Sequence, residues 1–260
     1  MQAYFKTNFG ELYNGDCIEI MDQMIAEGKH IHKVITSPPY NIIRPNSTDR
    51  GYDLYKDGMT NEEYIDWTVR IFNDYDKLLQ ENGCVIYNMS YGAENTVGMN
   101  LTVAEIIKQT NFTIADIIVW KKGTATPNNV SHNRLTRICE FIYIFCRKDE
   151  LMTFKTNKKV LSKRDTGQAV YENKYNFIKA KNNDYSTDLN KATYSSELIQ
   201  QLLDLYVSKN DIVLDNFNGT GTTTYNCEKN NIKWYGIELS EKQCQHTKKR
   251  ITKGVQECLF

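Results

Sequence analysis

Ile212-Val213-Leu214-Asp215-Asn216-Phe217-Asn218-Gly219-Thr220-Gly221-Thr222-Thr223 is the stretch whose reading decides the fold. Ile212-Val213-Leu214 is a short apolar run that ends in an acid, which reads as a buried strand. Two closely spaced glycines then permit a tight turn, and Thr222 to Lys229 continues as a helix. The next strand, Lys233-Trp234-Tyr235-Gly236-Ile237-Glu238, ends in a second acid about 23 residues after Asp215. Strand, glycine turn, helix, strand and terminal acid make the first half of a nucleotide-binding α/β fold. The glycines let a ligand approach the backbone, and the terminal carboxylate can take both hydroxyls of a ribose. The turn lacks the third glycine of the dinucleotide pattern, and Asp215 at the strand mouth would repel a pyrophosphate. A cationic or zwitterionic ligand with a ribose fits better. S-adenosylmethionine has a sulfonium, an ammonium and a ribose.

A second stretch near the start has a complementary character. Lys33-Val34-Ile35 reads as the end of a buried strand, and Thr36-Ser37-Pro38-Pro39-Tyr40-Asn41 follows it. Two successive prolines cannot donate backbone hydrogen bonds and hold φ near −65°, so the chain must leave the sheet in a stiff, extended turn. Rigid turns at the carboxyl ends of strands are where open α/β sheets place ligands. This one presents Ser37, the bare carbonyls of Pro38 and Pro39, and the face of Tyr40. Those groups suit a flat ring that carries an amino group; a plain Pro-Pro loop is the alternative reading of the six residues alone.

Between and around these stretches the chain alternates strands and helices. Phe9 to Cys17 reads as a strand ending in a Gly-Asp turn, with Asp16 capping a helix over Ile18 to Ala26. The segment Ile42 to Asn61 is a long polar loop of the kind that accompanies sites. Thr60-Asn61-Glu62-Glu63 has the form of a capping box. The helix it opens carries Ile65, Val69, Ile71, Phe72, Tyr75, Leu78 and Leu79 and should stop at Asn82-Gly83. Strands are expected at Cys84 to Met89, Ile114 to Trp120 and Glu140 to Phe145, and helices at Leu101 to Gln109, from Ser195 or Ser196 to Tyr206, and Ser240 to Ile251. The fold class is therefore α/β with a doubly wound, mainly parallel sheet.

The 260 residues suffice for a full core, and no run approaches the roughly 18 apolar residues of a membrane span. The start, Met1-Gln2-Ala3-Tyr4-Phe5-Lys6, shows no signal-peptide core, so an intracellular, cytoplasmic protein without membrane contact is expected. Seven cysteines without a C-x-x-C pair point to reduced thiols and away from zinc. Net charge is zero, yet Arg147 to Lys191 holds 11 Lys/Arg against 6 Asp/Glu. Within it, Leu151 to Leu189 breaks the α/β rhythm and interleaves Phe154, Tyr171, Tyr175, Phe177 and Tyr185 with the lysines. That mixture suits stacked bases and phosphates, and equally a small satellite core with a wet outer face.

Together these residues resemble an amino-group DNA methyltransferase of the permuted β class, the cytosine-N4/adenine-N6 family, in which the catalytic tetrapeptide precedes the cofactor loop. Thr36 to Asn41 resembles its catalytic motif, Val213 to Thr223 its cofactor loop, and Gly236-Ile237-Glu238 its ribose-binding strand end. Asn14-Gly15-Asp16-Cys17 is similar to the segment whose aspartate meets the cofactor adenine, and Asn190-Lys191-Ala192-Thr193-Tyr194-Ser195 takes the place of the segment against the methionine part. Two departures are visible: Asn216 stands where proline is usual, and the 190–195 segment lacks the usual His-Pro start.

The resemblance implies a Rossmann-like, S-adenosylmethionine-dependent fold. Residues 1–150 would be its catalytic half, 151–189 a target-recognition region and 190–260 its cofactor-binding half. It implies catalysis by Ser37, Pro38, Pro39 and Tyr40. Cofactor contacts would come from Asp16, Cys17, Thr36, Asn190, Lys191, Ala192, Asp215, Phe217, Gly219, Thr220, Gly221, Thr222, Thr223 and Glu238. Double-stranded DNA would be the substrate, with a homodimer and a cognate restriction endonuclease as the partners the family suggests.

An aromatic amine is a poor nucleophile until its lone pair is drawn out of the ring. Ser37 and the Pro38 carbonyl can accept its two N–H bonds while Tyr40 stacks on a base flipped from the duplex. In the family a serine at the first motif position goes more often with cytosine N4 and an aspartate with adenine N6, so cytosine N4 is favoured and adenine N6 is the alternative. Methylation of an RNA base or a protein amide is the rival class; such enzymes tend to carry Asn before Pro-Pro-Tyr and to place the cofactor loop first. An inactive DNA-binding homologue is the third reading, opposed by intact Ser37, Tyr40, Gly219, Gly221 and Glu238.

Overall fold

Apolar runs with no polar face must be covered on both sides, and in this chain they assemble side by side under two layers of helices. The computed structural model describes residues 1–41, 58–89, 96–125, 127–129, 132–184 and 193–257, the last three of these as backbone only. In chain order the elements are β1 (Phe5–Lys6), β2 (Gly10–Asn14), α1 (Cys17–Ala26), β3 (Ile31–Thr36), α2 (Asn61–Leu78), β4 (Leu79–Met89) and α3 (Thr96–Gln109). Then come β5 (Phe112–Lys122), β6 (Cys139–Arg147), β7 (Val160–Lys163), β8 (Ala169–Tyr171), β9 (Phe177–Ala180), α4 (Ser196–Tyr206), β10 (Ile212–Asp215), α5 (Thr222–Lys229), β11 (Lys233–Glu238) and α6 (Glu241–Glu257).

A nine-stranded sheet runs in the order β1-β2-β11-β10-β3-β4-β6-β5-β9. Strands β2, β11, β10, β3 and β4 are mutually parallel, β6 is antiparallel to β4 and β5, and β9 is parallel to β5. One face carries a core with Met21 and Met24 of α1, Phe72 and Tyr75 of α2, and Val103 and Ile106 of α3. The other packs against Leu198, Leu202 and Leu203 of α4, Cys227 of α5 and Ile251 of α6. The chain leaves the centre in one direction through β11 and β2 and in the other through β3 and β4. Strands β10 and β3 are therefore the neighbours at which the winding reverses, the place where such sheets open a crevice.

The local signals mostly act as read. Asp16 caps α1 by accepting the Ile18 and Glu19 N–H groups, Thr60 and Glu63 form the reciprocal capping box of α2, and Ser195 caps α4. Asn82-Gly83 is a correction: α2 ends at Leu78, where Leu79 turns extended to pair with Ile31, and the dipeptide lies inside β4. Asn82 takes φ 57°, a left-handed conformation that Asn tolerates at a strand kink as well as at a helix end. The buried face of α2 also runs through Tyr64 and Thr68, with Ile65 and Val69 half-buried beside it. Thr68 can be buried because its hydroxyl donates to the Tyr64 carbonyl at 2.8 Å. Helices α3 and α6 begin earlier and end later, respectively, than the apolar spacing alone marks. Within Leu151 to Leu189 the described part forms the β7–β8 ribbon and β9, and β9 joins the main sheet.

Candidate active site

Leu214 pairs with Val34, so Asp215 and Thr36 emerge together from adjacent strand ends. The Thr36 hydroxyl donates to Asp215 Oδ1 at 2.7 Å, joining the proline turn to the glycine turn. Asp215 also accepts the Phe217 N–H at 3.2 Å and the Tyr194 hydroxyl at 3.2 Å, and that hydroxyl meets Thr223 Oγ1 at 2.6 Å. Only 1% of Asp215 is exposed; burial pushes its carboxyl above the usual range, against the pull of the groups that donate to it.

The glycine turn is bent by two left-handed residues, Gly219 (φ 52°) and Gly221 (φ 79°). A Cβ on Gly221 would also sit 2.6 Å from the Thr247 side chain, so the position needs glycine twice over. Asn218 fixes the turn from behind: its amide donates to Thr247 Oγ1 at 3.1 Å and accepts from Thr224 Oγ1 at 2.8 Å. The Gly219 N–H donates to Glu238 Oε2 at 2.7 Å and the Ser240 N–H to Oε1 at 2.8 Å. These bonds orient the Glu238 carboxylate at the cavity wall, and a carboxylate is the kind of acceptor that a pair of ribose hydroxyls calls for.

These groups surround a cavity of about 320 Å³. Of the expected cofactor residues, Asp16, Cys17, Phe217, Gly219, Thr220, Thr222 and Glu238 line it, and Ser37 and Pro39 of the proline turn share the same wall. Thr36, Asp215, Gly221 and Thr223 stand behind that lining and shape it. Asn190, Lys191 and Ala192 lie outside the described residues. Trp67 and Phe217 supply an aromatic flank with ring centroids 5.4 Å apart. Asp16 spends Oδ1 on the α1 cap and keeps Oδ2 unbonded among the described residues. Burial, with the charge of Asp16, pushes the Cys17 thiol up to about 12, so it is no thiolate at neutral pH. The first residue of α5, Thr222, lines the cavity, and the helix start there has no side-chain cap, which suits a carboxylate. A ribose acceptor, aromatic walls and an anion-favouring helix end fit the adenosine and methionine parts of S-adenosylmethionine.

The proline turn is held from outside. Tyr64 donates to the Pro39 carbonyl at 2.8 Å, which corrects the reading of both proline carbonyls as bare; Pro38 alone keeps its carbonyl without a bond among the described residues. Ser37 Oγ lies 2.9 Å from the Tyr40 hydroxyl. Asn41, at φ 49°, donates to the Met59 carbonyl at 2.7 Å and accepts the Gly58 and Met59 N–H groups at 3.0 Å. Trp67, Tyr64, Ser240 and Gln243 are site residues that motif reading passed over, whereas Asn41 and Tyr194 stand inside stretches it quoted without giving either a role of its own. Trp67 had a faint signal, an aromatic three residues after Tyr64 in the opening turns of a helix entered from the loop. The unexpected Asn216 takes up the Tyr75 hydroxyl at 2.6 Å, a bond to the α2 core where a proline ring would have stiffened the turn.

Strand order, crevice and cavity together define the α/β fold of S-adenosylmethionine-dependent methyltransferases. The family model described as DNA methylase (N6_N4_Mtase) matches residues 31–249, and the chain belongs to that family. It is 26% identical over 276 residues to the type II methyltransferase M.BamHI of Bacillus amyloliquefaciens, covering 96% of this chain and 59% of that protein. It is 22% identical to the type II methyltransferase M.Cfr9I of Citrobacter freundii, covering 90% of this chain and 84% of that one. Among solved structures it resembles the cytosine-N4-specific PvuII DNA methyltransferase, with TM-score 0.71, 17% identity and 96% and 88% of the two chains covered. The M1.HpyAVI-SAM complex follows it with TM-score 0.62, 24% identity and coverage of 93% and 99%. At these identities the two structures bear on the fold.

Proposed function

We propose that this chain transfers a methyl group from S-adenosylmethionine to the exocyclic amino group of a base flipped out of double-stranded DNA. The observation that carries the reading is the single cavity in which Ser37 and Pro39 face Glu238, with the Thr36–Asp215 bond holding the two turns together. When bound, the cofactor supplies an electrophilic sulfonium methyl. The residues of the chain do the rest. Ser37 Oγ and the Pro38 carbonyl accept the two amino N–H bonds, which draws the nitrogen lone pair out of conjugation; once the nitrogen has taken the methyl group, one of those two protons leaves it for solvent. Tyr40 stacks on the base, and Glu238, Trp67 and Phe217 hold the nucleoside part of the cofactor so that methyl and amine align. Ser37 in the first motif position makes cytosine N4 our reading of the target atom. Adenine N6 makes the same hydrogen-bond demand and is the alternative.

Recognition we assign to the part of 151–189 from Phe177 onward. Strand β9 rises parallel to β5 toward the end of the sheet that carries the site, whereas the β7–β8 ribbon leaves near the carboxyl end of α4. The division into 1–150, 151–189 and 190–260, a homodimer, a cognate restriction endonuclease and a cytoplasmic location belong to the same reading. No helix among the described residues is long and apolar enough to cross a membrane. Incubation with methyl-labelled S-adenosylmethionine and plasmid DNA, followed by nucleoside mass spectrometry, should yield N4-methylcytosine. Label in N6-methyladenine selects the alternative, and label in RNA or protein with none in DNA sinks the proposal.

A further inference from the structure

At the site end of the sheet, three polar side chains from three strands form a chain that motif reading did not mark. Lys122, the last residue of β5, makes an ion pair with Glu140 Oε1 and lies 5.3 Å over the Trp120 ring. Glu140, near the start of β6, accepts from Asn88 Nδ2 at 3.0 Å through Oε2. Asn88, near the end of β4, gives its second amide hydrogen to the Tyr40 hydroxyl at 2.9 Å, and that hydroxyl lies 2.9 Å from Ser37 Oγ. Asn88 and Glu140 are only 5% and 7% exposed.

The chemistry of the amide makes this chain directional. A carboxylate only accepts, so Glu140 selects the NH₂ end of Asn88 and thereby makes Asn88 a donor toward Tyr40. Asn88 Oδ1 is buried without a partner among the described residues, a cost that an apolar side chain of the same size would avoid. What the amide provides in return is the fixed donor. Its nitrogen cannot relay a proton, so the chain acts by orientation.

We propose that Asn88, set by the Glu140–Lys122 ion pair, is a positioning residue for methyl transfer: it locks the Tyr40 ring and, through the Tyr40 hydroxyl, the Ser37 oxygen that accepts the target amine. The inference rests on the amino-methyltransferase reading and concerns residues outside the motif that carries it.

Single-turnover transfer from labelled S-adenosylmethionine to plasmid DNA tests it in the 260-residue chain. Asn88→Ala and Asn88→Leu, the latter filling the space without the donor, should each slow transfer about tenfold, the scale of one lost hydrogen bond at a reacting group. Cofactor Kd, followed by quenching of tryptophan fluorescence, should stay within about twofold of the unmodified chain, since Asn88 is not in the cavity wall. In a Tyr40→Phe background, Asn88→Ala should slow transfer by less than about twofold more, because the shared bond is already gone. Equal losses of rate and cofactor affinity would make Asn88 a structural residue and overturn the proposal. So would undiminished rates in both Asn88 variants, or an undiminished Asn88→Ala effect in the Tyr40→Phe background. If the unmodified chain labels RNA or protein and no DNA, that counts against the proposed substrate alone, and the same ratios are read on the acceptor that is labelled.

Discussion

The two turns that meet at the Thr36–Asp215 bond are built from opposite chemistry. The proline turn after β3 has lost backbone donors and presents oxygen: the Pro38 carbonyl and Ser37 Oγ. The glycine turn after β10 is rich in backbone N–H groups and turns them on a carboxylate, as Gly219 does on Glu238. One wall of the cavity therefore suits an amine and the other a ribose with a charged tail. They also differ in what holds them. Asn218, Thr224 and Thr247 close the glycine turn from within about thirty residues of sequence. The proline turn leans on Met59, Tyr64 and Asn88, from α2, the loop before it and β4. The bonds that bend the glycine turn are near in sequence, even though Thr36 and Tyr75 also reach it from a distance, so it can be recognised there; a turn braced mainly from afar shows only its tip.

Substitutions that separate the turns give the largest expected effects. On the proposed mechanism Tyr40→Ala removes base stacking worth about 1–3 kcal/mol and the alignment that goes with it, so turnover should fall roughly 10²-fold or more. Cofactor Kd by calorimetry should stay within about threefold; an equal loss of both would make Tyr40 a structural residue. Glu238→Ala is the mirror experiment. Losing a charged acceptor for ribose hydroxyls costs about 1.5–3 kcal/mol, so cofactor Kd should rise about 10- to 100-fold, with a smaller change in turnover at saturation.

Thr36→Val tests the bond between the turns. Asp215 loses one donor while shape is kept, and stability should drop by about 1–2 kcal/mol in denaturant unfolding. Cofactor affinity and turnover should fall together, in contrast to the first two variants. An effect confined to one of them would show the turns to be independent.

Glu11, on β2 away from both turns, gives the smallest effect and serves as the control. Burial raises its pKa, but bonds from Lys6, Tyr13 and Lys29 outweigh that and hold it at about 2, below the ordinary 4.5. A depressed carboxylate stabilises the fold above its unfolded value and loses that contribution as pH falls from about 4.5 toward 2. Glu11→Gln should therefore cost about 1 kcal/mol near pH 7, once screening of the exposed Lys6 partner is allowed for, and the difference should close in unfolding curves taken toward pH 2. Methyl transfer at pH 7 should be unaffected.

How far the molecule could be read in advance follows the same division. Asp16, Thr60 with Glu63, and Ser195 announce helix starts because a cap is a bond between neighbours in sequence. Gly219 and Gly221 announce the glycine turn because a left-handed backbone is a demand on one residue. Asn82-Gly83 misleads for the same reason: a left-handed conformation is wanted at helix ends and at strand kinks alike. Tyr64 and Asn88 carry no such mark, and Trp67 only a faint one. Their roles exist only where α2 and β4 pass the proline turn, and nothing within a few residues of any of them distinguishes that from ordinary core packing.

The sequence by itself therefore determined the alternation of strands and helices, the glycine turn with its terminal acid, and the oxygen-bearing proline turn, since each rests on φ preferences, missing or spare N–H groups and hydrophobic period. The tertiary structure alone decided that Asp215 is a buried junction between two turns, that Pro38 and not Pro39 keeps an open carbonyl among the described residues, and that Asn88 reaches Tyr40. Those depend on which strand lies beside which, and strand order is set by the packing of whole faces, which no local stretch of residues contains.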